Sequence, residues 1–120
     1  MEKAQRFEDL IVWQKAHKLV LAIYSLSSKF PSNEMYGLTS QLRRAAVSVP
    51  SNIAEGFKRI GANDKLRFYN IAESSQEEVK YQLLLANDLQ YSNTKDLILQ
   101  LEEVSKILNG LIKSFKKTNI

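Results

Sequence analysis

Along almost the whole chain, apolar residues recur at steps of three and four, the spacing that lines one face of an α-helix. The first helical segment is expected from about Glu8 or Asp9 to Lys29, stopped by Pro31. Its apolar positions are Val12, Trp13, Ala16, Leu19, Val20, Ile23, Leu26 and Phe30, which leaves Lys15, Lys18, Ser25 and Lys29 facing water. A second segment opens after Ser32 or Asn33, either of which can cap it, and runs to about Lys58 or Arg59, with Gly61 in the next turn. The third begins near Asn63, with Asp64 in its first turn, and reaches Leu89; Phe68, Ala72, Ser75, Val79, Leu83 and Ala86 face inward. The fourth follows Ser92 to Thr94 and extends to about Lys116, with Thr94 as its cap and a seam of Leu97, Leu101, Val104, Leu108, Leu111 and Phe115. Helices joined by turns this short pack antiparallel, so the pattern predicts an all-α, up-down-up-down four-helix bundle forming one domain over residues 1–120. Near the end of the third helix Tyr81, Leu84 and Leu85 add to Leu83 and Leu89. That is more apolar surface than a lone bundle covers, and it predicts an association surface.

The stretch Gln41 to Gly56, QLRRAAVSVPSNIAEG, departs from a simple amphipathic helix. Gln41, Arg44, Ser48, Asn52 and Glu55 form a polar stripe beside an apolar one of Leu42, Ala45, Ala46, Val49, Ile53 and Phe57. The small residues Ala45, Ala46 and Ser48 allow another backbone to come close, and polar groups buried there need partners from a neighbouring helix or subunit. Within that stripe Arg44 is expected to be buried in an ion pair with Glu55, inside a bundle or between bundles. Pro50 removes one backbone donor and collides with the carbonyl of Ala46, which costs about 3 kcal/mol in a helix interior. A kinked second helix is expected rather than a split one, because the apolar stripe continues in phase through Ile53 and Phe57.

Composition narrows the class further. A chain of 120 residues, 44% of them hydrophobic, suits one core, and only four glycines and two prolines fit helix throughout. There is no cysteine, the N-terminal MEKAQRFEDL has no apolar signal core, and no apolar run is long enough to span a membrane. These features lead to the expectation of a soluble cytoplasmic protein.

Catalysis finds little material. A di-iron bundle requires Glu-x-x-His on each of two helices, whereas His17 is the only histidine and is preceded by Gln14, so a packing or surface role is expected for it. In GFKRIGAN, Gly56 to Asn63, two glycines have phosphate-loop spacing, but no Lys-Ser/Thr pair follows. The Ser-Lys spacing of Ser92 to Lys95 lies in a turn, and the adjacent pairs Glu77–Glu78 and Glu102–Glu103 point about 100° apart on a helix. The residues therefore predict no catalytic, metal or cofactor site.

Charge is the more informative chemistry. Seventeen Lys and Arg against 13 Asp and Glu give +4, a mild excess that an assembly of several copies would multiply. Lys58, Arg59, Lys65 and Arg67 should gather around one turn as candidate phosphate contacts; Lys113, Lys116 and Lys117 form a basic C-terminal group. Solubility and helix-dipole complementarity would account equally for such clusters.

Three segments carry a family resemblance: FEDLIVWQKAHKL at Phe7 to Leu19, FPSNEMYGLTSQLRRAAVSVPSNIAEG at Phe30 to Gly56, and NIAESSQEEVKYQLLLANDLQY at Asn70 to Tyr91. Together they resemble the four-helix-bundle proteins encoded in intervening sequences of bacterial 23S rRNA genes, a family that includes the accessory variability determinant of diversity-generating retroelements. The likeness weakens after Tyr91. It implies a non-enzymatic bundle that assembles as a homopentameric ring and, for the retroelement branch, a basic barrel that binds nucleic acid and a reverse transcriptase. Where the family often has Ala-Arg-Gly-Ser, this chain reads Ala72, Glu73, Ser74, Ser75, which removes one cation from that surface. The expectation is an oligomeric basic adaptor for RNA, DNA or a nucleic-acid enzyme, held together by the second helix. The rival is a structural or protein-interaction module with no nucleic-acid role.

Overall fold

The computed structural model describes residues 3–118, with side chains over residues 3–116. Four helices run antiparallel: α1 (Ile11–Ser27), α2 (Leu38–Lys58), α3 (Ala62–Asp88) and α4 (Lys95–Thr118). Two core clusters stack along a rod 47 Å long. One, around Leu19, Ile23, Leu42, Leu83 and Leu101, fills the end where α1 finishes and α2 begins. The other, around Val12, Ile53, Tyr69, Val104 and Leu108, fills the opposite end, where α2 turns into α3.

Several helix boundaries differ from the sequence expectation, and local hydrogen bonds show why. The Asp9 carboxylate accepts from the amides of Gln5 and Arg6, closing a separate 3-10 turn at Phe7–Asp9, so α1 starts only at Ile11. Neither Ser32 nor Asn33 caps α2. They belong to a 3-10 turn, Ser32–Glu34, and the Glu34 carboxylate accepts instead from the amide of Leu38 at 3.0 Å. Its other oxygen accepts from the Tyr91 hydroxyl at 2.8 Å, tying the start of α2 to the α3–α4 connection. At the end of α3, Gln90 takes φ 63°, its amide donates to the Asn87 carbonyl and that of Tyr91 to the Ala86 carbonyl. This is a Schellman ending with glutamine in the left-handed position that glycine usually fills. Thr94 takes the N-cap position of α4, its carbonyl accepting from the Ile98 amide, but it is buried and its hydroxyl donates to the Leu83 carbonyl at 2.8 Å, while Asn93 accepts from the Lys95 amide.

Through Pro50, which is buried, α2 continues as one unbroken helix; the split form does not occur. Against it α3 packs closely. Ser48 and Ser75 share a hydrogen bond of 2.8 Å, and the Asn52 amide donates to the carbonyl and hydroxyl oxygens of Ser48. A Cβ placed on Gly56 would lie 2.5 Å from the Tyr69 ring. That contact shifts the inward face of α3: Tyr69, Gln76 and Gln82 are buried with Ala72, Val79, Leu83 and Ala86, whereas Phe68 and Ser75 are half-buried. On α4 the seam holds through Leu97, Leu101, Val104 and Leu108, then passes to Ile112, leaving Leu111 and Phe115 half-buried. A helix of 3.6 residues per turn drifts away from a strict 3.5 repeat, so the fourth residue onward comes back to the core rather than the third.

Three stability measurements test this account. Gly56→Ala should lower unfolding stability by about 2 kcal/mol through overpacking, whereas Gly110→Ala, exposed on α4 with nothing within 4 Å, should raise it by about 1 kcal/mol through helix propensity. Gln90→Gly should also stabilise, by about 1 kcal/mol, because it relieves a left-handed residue. The third is the pH dependence of the urea midpoint. The Leu38 amide and then the Tyr91 hydroxyl hold the Glu34 carboxyl below its ordinary 4.5, so its contribution is complete above that value and is lost as pH falls. Burial pushes Tyr69 from 10.0 up to about 12, so its contribution is complete below pH 10 and is lost between pH 10 and about 12. Lys65, lowered by its burial, acts in the opposite sense at high pH. The readout is therefore the difference from variants: Glu34→Gln should flatten the acid limb and Tyr69→Phe the alkaline one.

Candidate nucleic-acid interface

The α2–α3 turn does bring Lys58, Arg59, Lys65 and Arg67 to one end of the rod. Their environments differ. Lys58 is the last residue of α2; it is exposed and has no ion pair or hydrogen bond among the described residues. Arg59 reaches back one turn to Glu55 at 3.2 Å and lays its guanidinium 4.5 Å from the centre of the Phe68 ring. Arg67 approaches Asp64 at 4.0 Å and the same ring at 4.9 Å, so the two arginines share one aromatic side chain. Both ion pairs are largely in water, where such pairs are worth about 0–1 kcal/mol, and an incoming anion can displace the carboxylates at little cost.

Lys65 turns inward. Its ammonium donates to the carbonyls of Phe57 at 2.7 Å and Gly56 at 3.2 Å, closing the C-terminus of α2, where helix carbonyls have no intrahelical partner and the dipole end is negative. Burial lowers its pKa. Its charge is thus engaged by the fold, and the outward-facing cations at this turn are Lys58, Arg59 and Arg67. Lys58 and Arg59 edge an open cleft of about 410 Å³ shared with Glu55, Ile60, Gly61 and Asp64, in which Ile60 is 99% exposed.

The polar stripe of α2 is only partly buried. Pro50 lies in the core, Ser48 and Asn52 are half-buried in the α3 contact, and Gln41, Arg44 and Glu55 are exposed. Arg44 and Glu55 do not pair within the chain. Three turns of helix separate them, roughly 16 Å of rise, and Glu55 is met by Arg59 one turn away. The residue that does reach into the bundle is Arg43. It donates to the Ser27 hydroxyl at 2.9 Å and the Tyr24 carbonyl at 3.2 Å, capping α1, whose last turn has no basic residue of its own. No sequence signal marked Arg43, because a first segment read to Lys29 has a cation of its own in its last turn.

Other surfaces follow expectation to different degrees. His17 is exposed and stacks on Trp13, ring centres 5.1 Å apart, and no group of metal-ligating side chains occurs among the described residues. Lys113 and Lys116 are exposed, while the side chain of Lys117 lies outside the described ones. On the far half of α3, Tyr81, Leu84 and Leu89 are 63%, 44% and 46% exposed, an apolar strip that the described residues leave open. No helix among the described residues is long and apolar enough to cross a membrane.

Comparison with solved structures finds a protein of unknown function from the S23 ribosomal protein family of Bacteroides thetaiotaomicron, similar at a TM-score of 0.78 and 26% identity over 86% of this chain and 99% of that one. Among curated proteins none matches. The family model described as 23S rRNA-intervening sequence protein matches residues 8–110, which takes in α1, α2, α3 and most of α4. With this match over nearly the whole bundle, the chain belongs to the 23S rRNA-intervening sequence protein family.

Proposed function

We propose that this protein is a non-enzymatic, oligomeric adaptor that presents basic residues to nucleic acid, or to an enzyme acting on it, in the cytoplasm. The observation that carries the reading is the gathering of Lys58, Arg59 and Arg67 at one end of a rigid rod, with only exposed, weakly held carboxylates opposing them. Phosphate contact needs no more than such positioning: each neutralised phosphate releases counterions, and the rod fixes where the contacts fall. The exposed Tyr81–Leu84–Leu89 strip supplies a surface for self-association. Assembly as a homopentamer, the state the family resemblance implies, would multiply the net charge of +4 and collect it on a ring. A retroelement accessory role, with a reverse transcriptase as partner, is the most specific form of this proposal. The same apolar strip also favours the second reading, a protein-interaction module with no nucleic-acid role.

A salt titration separates the two. Light scattering should give the mass of a multimer, and a short RNA should bind with an affinity that falls as salt rises. In the triple variant Lys58→Gln, Arg59→Gln, Arg67→Gln, the slope of log affinity against log salt should decrease by about 2, close to 0.7 per lost contact with a single strand. Lys65 is left in place because it holds the end of α2. Unchanged affinity and slope, or no binding by the parent at physiological salt, would reject the nucleic-acid reading in favour of the protein-interaction module.

A further inference from the structure

At the opposite end of the rod from Lys58, the turn between α1 and α2 and the adjacent pair Arg43–Arg44 form a second cation-bearing surface. Tyr24, Met35, Tyr36, Arg43 and Arg44 line an open cleft of about 350 Å³. Tyr36 is 97% exposed and Met35 51%, so a phenol ring and a thioether stand in water beside two guanidinium groups. No carboxylate lines the cleft among the described residues. Arg43 is already fixed by Ser27 and the Tyr24 carbonyl, its guanidinium 4.6 Å from the centre of the Tyr24 ring, so a cation and an aromatic plane are held ready together. Arg44 is exposed and has no hydrogen bond or ion pair among the described residues, which leaves its full donor fork available.

We propose that this corner is a stacking site for single-stranded nucleic acid, in which an unpaired base lies on the Tyr36 ring and the adjoining phosphate is held by Arg44. The chemistry selects that occupant. A free aromatic face accepts any base, a neighbouring arginine neutralises the backbone, and no carboxylate lines the cleft as Glu55 and Asp64 do at the other end; Glu34, on the same turn, is engaged by the Leu38 amide and the Tyr91 hydroxyl. Bases within a duplex are already stacked and offer no face to Tyr36, so the site discriminates single strands from double strands. The proposal rests on the nucleic-acid reading above and adds to it a second contact point, at the far end of the 47 Å rod, and a preference for unpaired bases.

The test compares a labelled oligouridine with an RNA duplex of equal length, using protein whose assembly mass is checked by light scattering. Tyr36→Ala should weaken oligouridine binding about tenfold and leave duplex binding unchanged. Tyr36→Phe, which keeps the ring and removes the hydroxyl, should bind as the parent does. Arg44→Gln should lower the salt slope by about 0.7. Because Tyr36 is almost fully exposed, none of these effects can come from a damaged core. If Tyr36→Ala binds oligouridine like the parent while the Lys58, Arg59, Arg67 variant does not bind it, the stacking site is wrong and the adaptor reading stands. If Tyr36→Ala instead changes the assembly mass and leaves RNA affinity intact, the corner is a contact between copies, and the proposal is overturned. Failure of the parent protein to bind either RNA would overturn both readings together.

Discussion

Close approach of α2 and α3 is the constraint on which the remainder of the bundle depends. Small side chains at Ala45, Ser48, Ala72 and Ser75 let the two backbones come near, and the groups brought together must then satisfy one another. Ser48 does this with Ser75 and Asn52, and Gly56 makes room for Tyr69, whose ring would otherwise meet a methyl group at 2.5 Å. One side of the contact is thus paid for in hydrogen bonds and the other in shape. With that pair fixed, α1 and α4 close the core from the other side through branched aliphatic residues such as Ile23, Leu101, Val104 and Leu108. A misfit between α2 and α3 would move both core clusters, because each is built on residues of these two helices.

Helix ends make the second demand, and charged side chains meet it. Glu34 takes the first amide of α2, Arg43 a carbonyl and a hydroxyl in the last turn of α1, and Lys65 the last carbonyls of α2. Each serves a helix in which it does not reside, so the connections are held by contacts that span the turns. This has a direct effect on function. Cations spent on carbonyls are not free for phosphate, and the available positive surface is smaller and more localised than the sequence clusters imply. Of the cations at the two turns, Lys58, Arg59 and Arg67 remain outward at one end, the two arginines against the Phe68 ring, and Arg44 at the other, in the cleft that Tyr36 also lines.

The four helices, their order and most core positions were legible in the sequence, because a 3.6-residue period leaves a direct mark on where apolar residues fall. Val12, Ala16, Leu42, Val79 and Leu97 all lie where periodicity puts them. The misses have specific causes. Ser32 and Asn33 are good caps by residue type, yet Glu34 supplies the competing oxygen; Thr94 holds the cap position of α4, but its hydroxyl is turned to the Leu83 carbonyl and Asn93 accepts from the Lys95 amide. The α3 register slipped at Phe68 because Tyr69 had the larger vacancy, over Gly56, to fill. The Arg44–Glu55 pair was a matter of reach: helical spacing placed both on one stripe but three turns apart.

By itself, then, the sequence determined an all-α bundle, its antiparallel order, its poverty in catalytic groups and its family likeness. These follow from local periodicity, residue type and motif, none of which requires knowing what lies across the core. Only the tertiary structure decided which cations are free, which helix each terminal side chain closes, and that Tyr36 and Arg44 stand together at an open corner. Those outcomes depend on which groups from distant parts of the chain meet in space, and the competition of Lys65 and Arg43 for backbone carbonyls is settled only once the helices are packed.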